Sequence, residues 1–140
     1  MSSASELPLP GGCGCGAVRF EVSAAPPSAS YCHCTRCQRR TGTAASAQAA
    51  VEPGSVNVVS GGDALRTWAP EGGLTKTFCG SCGSALFGTA GDGSIVSVRM
   101  GAFDSDPGMR PSVRQYVAYA APWEPIPDDG LPRFDEQRPH

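Results

Sequence analysis

Basic and titratable side chains are scarce in this sequence. It has one lysine, Lys76, and two histidines, His33 and His140. Its ten arginines are outnumbered by thirteen acids, and the formal net charge is −2. That balance argues against a general nucleic-acid binder and against a polybasic membrane anchor. No stretch approaches the ~18–20 consecutive apolar residues of a membrane span. The first twelve residues, MSSASELPLPGG, have neither the basic nor the apolar region of an export signal. The expectation is a soluble, cytoplasmic protein with little histidine for general acid–base work. Large apolar residues are thin as well: the 40% apolar fraction is rich in alanine. Gly 18 and Pro 13 make up roughly a fifth of the chain, so turns are expected to be many and helices few.

Cysteine is abundant. Seven fall as Cys13-Gly-Cys15, Cys32-His-Cys34-Thr-Arg-Cys37 and Cys79-Gly-Ser-Cys82. A reducing compartment disfavours disulfides, and an odd number cannot pair completely within one chain. Close pairs separated by long gaps are how a chain presents thiolates to a metal; all-thiolate donors favour zinc, with iron an alternative. Cys13, Cys15, Cys79 and Cys82 supply a closed tetrahedral set. Cys32, Cys34 and Cys37 then offer three ligands and a vacant fourth position, the pattern of a catalytic rather than a structural zinc. A second partition joins Cys32 and Cys34 to Cys79 and Cys82. In an extended segment His33 would point away from Cys32 and Cys34. It could bond nearby backbone, serve as a fourth ligand or act as an acid–base group.

Alternating segments predict strands at Ala17–Val22, Val56–Val59, Leu65–Trp68, Leu74–Phe78, Ser84–Phe87, Ser94–Met100 and Val113–Ala121. Ala24–Ser30 reads as a loop. Thr41–Ala50 has helix-compatible composition but no apolar stripe. The domain plan is a flexible leader over 1–11, one domain over 12–134 and a tail over 135–140. Trp123, Ile126, Leu131 and Phe134 are the expected anchors of a proline-rich arm. The class is mainly β, with few or no helices.

Gly12-Cys13-Gly14-Cys15-Gly16-Ala17-Val18-Arg19-Phe20, Cys32-His33-Cys34-Thr35-Arg36-Cys37-Gln38 and Phe78-Cys79-Gly80-Ser81-Cys82-Gly83-Ser84-Ala85-Leu86-Phe87 resemble three motifs of one family. It is the glutathione-dependent formaldehyde-activating enzyme family, which also includes centromere protein V. Gly101-Ala102-Phe103-Asp104 and Ala121-Pro122-Trp123 are similar to later motifs. The resemblance implies an Mss4-like fold of antiparallel sheets joined by zinc, and two zinc ions per chain. It implies a structural zinc on Cys13, Cys15, Cys79 and Cys82 and a catalytic one on Cys32, Cys34 and Cys37. Many members have a histidine about eight residues before the Pro-Trp pair; here Gln115 or a neighbour stands there.

The implied activity is a carbon–sulfur lyase type of chemistry that joins glutathione to formaldehyde as S-hydroxymethylglutathione. Such chemistry needs a bound thiolate and an aldehyde, and glutathione adds two carboxylates that arginine can clamp. Arg36, Arg39, Arg40 and Arg99 are the candidate clamps. Asp104 is read as holding a turn. The competing classes are a zinc-stapled binding module for protein or nucleic acid, and a redox or metal sensor.

Overall fold

Pro10 lacks a backbone donor, so a strand containing it belongs on a sheet edge. In the computed structural model, which describes residues 6–138, that strand is β1 (Leu9–Gly12), at one edge of a three-stranded antiparallel sheet. It pairs with β2 (Arg19–Val22), and β2 with β5 (Val56–Ser60). The end of the stretch read as a leader is thus sheet, with Leu9 buried; residues 1–5 lie outside the described residues.

The second sheet has seven strands. In spatial order they are β10 (Arg114–Gln115), β3 (Ser28–Cys32), β4 (Ser46–Ala50), β9 (Ile95–Arg99), β8 (Ala85–Thr89), β7 (Thr75–Cys79) and β6 (Leu65–Trp68). Every pairing is antiparallel except β10 with β3. The fold is mainly β, as the sequence predicts. No helix of the described residues is long and apolar enough to cross a membrane.

The core lies between the sheets. Phe20 and Val22 point inward from β2 by strict alternation. Phe20 meets Phe87 edge-on at 5.2 Å and Phe103 at 6.2 Å between ring centroids. On β8 alternation fails: Leu86 and Phe87 are both buried. The register shift beside Thr77 and Phe78 explains it, since Ala85 faces Phe78, Phe87 faces Thr77, and Leu86 is the extra residue of a bulge.

Four sequence expectations are corrected. The one α-helix among the described residues, α1 (Thr35–Thr41), ends on the first residue of the Thr41–Ala50 stretch, whose second half is β4. Cys34 caps α1 by accepting the Cys37 N–H at 3.3 Å, and Gly42 ends it at φ 68°, a left-handed conformation that glycine adopts without strain. Ser28–Ser30, read as loop, belongs to β3 because it finds β4 as a partner. The strand expected over Val113–Ala121 is only two residues long, and Val117–Tyr119 turns as 3₁₀ helix. Trp123 is 64% exposed and anchors nothing, while Ile126, Leu131 and Phe134 are half-buried. The segment beyond 134 is tied down. Glu136 accepts the Tyr116 N–H, and Gln115 Oε1 accepts the Arg138 N–H at 2.9 Å.

Candidate metal centres and the adjoining cleft

Two tight turns build the first cluster. Cys13 and Cys15 leave the end of β1, with Gly16 N–H donating to the Cys13 carbonyl. Cys79 ends β7, and Gly83 N–H donates back to its carbonyl at 2.7 Å. Ser84 joins the turns: its hydroxyl accepts the Gly14 N–H at 2.9 Å and sits 3.2 Å from Cys82 Sγ. The four sulfurs lie within 4.8 Å of one another, with Cys13–Cys15 at 3.6 Å and Cys15–Cys79 at 3.9 Å. Four thiolates around one tetrahedral zinc stand about 3.8 Å apart, so the set fits that ion.

Charge sharing fits it too. The Ser84 hydroxyl and N–H hold Cys82 down at about 5. Cys15 is pushed up to about 11, the lowering contact from Ala17 N–H being outweighed by the Cys13 sulfur and its neighbours. Four crowded thiols cannot all ionise without a cation among them.

The second cluster is built at the junction of β3 and α1. Cys32 ends the strand, Cys34 caps the helix, and Cys37 lies in its first turn. Their sulfurs also lie within 4.8 Å of one another. The Cys32 thiol, the Ser46 hydroxyl and Arg99 hold Cys37 down at about 5, while Cys32 is pushed up by the Cys37 thiolate and by burial. His33 is not part of this trio. It is buried on the opposite face, where Nε2 accepts from Arg114 Nη1 at 3.2 Å. Burial and the Arg114 and Arg133 charges lower its pKa.

A cleft of about 1070 Å³ opens beside the trio, which lies in its wall. Of the four predicted clamps, Arg36 and Arg99 line it. Arg36 donates to the Glu71 carbonyl and Arg99 to Gln48 Oε1. Arg39 is exposed and Arg40 faces a second hollow of about 750 Å³, so neither lines this cleft. Arg40 stacks 5.4 Å over Phe78 with its Nε buried and unpartnered. Asp104 pairs with Arg19, an ion pair where a turn-holding role was expected.

The sequence reading missed Lys76, Arg138 and Tyr116, which also line the cleft. Lys76 and Phe78 alternate on β7, so the pattern could have placed the one lysine on a sheet face. Nothing local could have brought Arg138 there. Tyr116 is the one non-glycine residue among those described with positive φ (60°), a conformation uncommon for a bulky side chain. Gln115 lines the cleft and donates to Ser30 Oγ at 3.3 Å.

Two mainly antiparallel sheets with two converging cysteine groups define a thiol-rich protein in which each group could hold a metal ion. Residues 8–119 match the model of the glutathione-dependent formaldehyde-activating enzyme family, and the chain belongs to that family. A crystal structure of a Rhodobacter sphaeroides protein shares the fold at TM-score 0.55. It is 22% identical, and the match covers 90% of this chain and 99% of that one. No curated protein matches the chain.

Proposed function

We propose that the protein is a zinc-dependent enzyme of the carbon–sulfur lyase type that joins a thiol to an aldehyde, as in forming S-hydroxymethylglutathione. The observation that carries this reading is the opening of the Cys32–Cys34–Cys37 trio onto a cleft of about 1070 Å³. The Cys13–Cys15–Cys79–Cys82 set has four sulfurs for one ion and serves as a structural staple. When bound at the trio, zinc would favour the thiolate form of a substrate thiol.

In the reaction the thiolate sulfur attacks the formaldehyde carbon. A C–S bond forms, the C=O π pair moves to oxygen, and that oxygen takes up the proton that the thiol gave up. Arg36 and Arg99 hold the thiol's carboxylates and so fix the sulfur near the trio. Tyr116 stands in the same cleft, and burial with the Cys32 and Cys34 charges raises its pKa. It is a neutral O–H that can donate to the oxygen as charge builds there. Arg39 and Arg40 have no part in this clamp.

NMR exchange spectroscopy of glutathione and formaldehyde, with and without zinc-loaded protein, tests the proposal. The expected result is adduct exchange faster than the spontaneous rate, lost in Cys34→Ser. An unchanged exchange rate would refute it.

A further inference from the structure

The cleft's polar lining is one-sided. Arg36, Lys76, Arg99 and Arg138 face it, yet no Asp or Glu among the described residues lines it. None of these four cations makes an ion pair among the described residues. In a chain of net charge −2, that concentration of positive charge is local. Three thiolates with one divalent cation leave about −1 at the trio, so the surroundings still carry excess positive charge.

Gln48, Gln115 and Ser30 in the lining carry the same bias, because their side-chain oxygens already accept hydrogen bonds. Gln48 Oε1 accepts from Ser46 Oγ at 2.8 Å and from Arg99 Nη1 at 3.0 Å. Gln115 Oε1 accepts the Arg138 N–H. Ser30 Oγ accepts from both Gln48 Nε2 at 3.1 Å and Gln115 Nε2 at 3.3 Å, which leaves its hydroxyl as a donor. Cations and donors are what this wall offers a ligand. Lys76 on β7 and Arg99 on β9 flank β8, placing two anchors on backbones about 10 Å apart.

Glutathione fits this lining only in part. Its carboxylates match the cations, but its ammonium would face four positive groups, with the Gln48 Oε1 and Ser30 Oγ acceptors already engaged twice each. A cation held among cations is unfavourable. We propose that the thiol this cleft takes best carries two or more anionic groups and no ammonium. The inference rests on reading the site as thiol-binding, and it narrows the thiol.

Isothermal titration of the full-length, zinc-loaded chain distinguishes the two ideas, using glutathione, N-acetylglutathione and mercaptosuccinate as probes at pH 7.4. The acetyl group removes the ammonium and keeps both carboxylates. The expected result is N-acetylglutathione and mercaptosuccinate binding at least about tenfold more tightly than glutathione. Lys76→Gln and Arg138→Gln should each weaken mercaptosuccinate several-fold while zinc content stays the same. Glutathione binding as tightly as its acetylated form would overturn the inference and leave the thiol site standing. Binding of none of the three would overturn both.

Discussion

His33 Nε2 accepts a hydrogen bond from Arg114 Nη1 at 3.2 Å, and Arg114 Nη2 donates to Asp129 at 2.7 Å. Arg114 also stacks over Tyr31 at 4.3 Å. Arginine never accepts, so His33 is neutral with its proton on Nδ1. The relay lies behind the trio and fastens the proline-rich arm to the junction of β3 and α1 that carries Cys32 and Cys34. Arg114→Met should cost about 1–3 kcal/mol, because it leaves the buried His33 Nε2 without a donor, while the exposed Asp129 turns to water. Thermal denaturation of the zinc-loaded protein measures this; an unchanged midpoint would remove the relay from the fold's supports.

The same pair gives a pH dependence of defined sign. Arg114 and the Leu131 N–H hold Asp129 below its ordinary value near 3.9. A carboxylate lowered in the folded state contributes stability that is complete above its unfolded pKa. That contribution is lost as pH falls through the folded pKa. Asp129→Asn should therefore be less stable than the parent above about pH 4, with the gap closing below it. Denaturant midpoints of the two proteins at matched pH check this, since loss of metal in acid affects both. A gap that stays constant to pH 3 would contradict it.

The two cysteine groups should respond differently to loss of a ligand. Cys82→Ser breaks the set that ties the 13–16 turn to β7 and is expected to unfold the domain, as is prolonged chelation. Cys34→Ser removes a sulfur from the cleft wall while the serine hydroxyl can still cap α1, so it should leave the far-ultraviolet circular dichroism unchanged. Equal folding of both variants would show that the four-sulfur set is no staple.

Gly61 ends β5 at φ 79°, pressed against the turn that follows Cys15. A Cβ there would collide with the Ala17 carbonyl, so Gly61→Ala combines strain with a clash against backbone. Its expected cost is more than about 2 kcal/mol by urea denaturation. A loss under half that would mean the turn relaxes freely.

Spacing alone made the cysteine groups legible, since a metal site concentrates its requirements into a few residues of one type. His33 opposite its neighbours follows from strand alternation in the same way. The cleft was less legible. Lys76, Arg99 and Arg138 come from β7, β9 and the far end of the chain, and only the assembled sheet brings them together. β3 was hidden because Ser28-Ala29-Ser30 has weak strand character and gains its conformation from β4. The Leu86 bulge likewise exists only in the pairing with β7.

Zinc counting by native mass spectrometry tests the central claim most directly: Cys32, Cys34 and Cys37 form a metal site of their own beside the cleft. The predicted result is two zinc ions per chain in the parent and one in Cys34→Ser, with the fold of both intact. One ion in the parent, or two retained in the folded variant, would contradict the account.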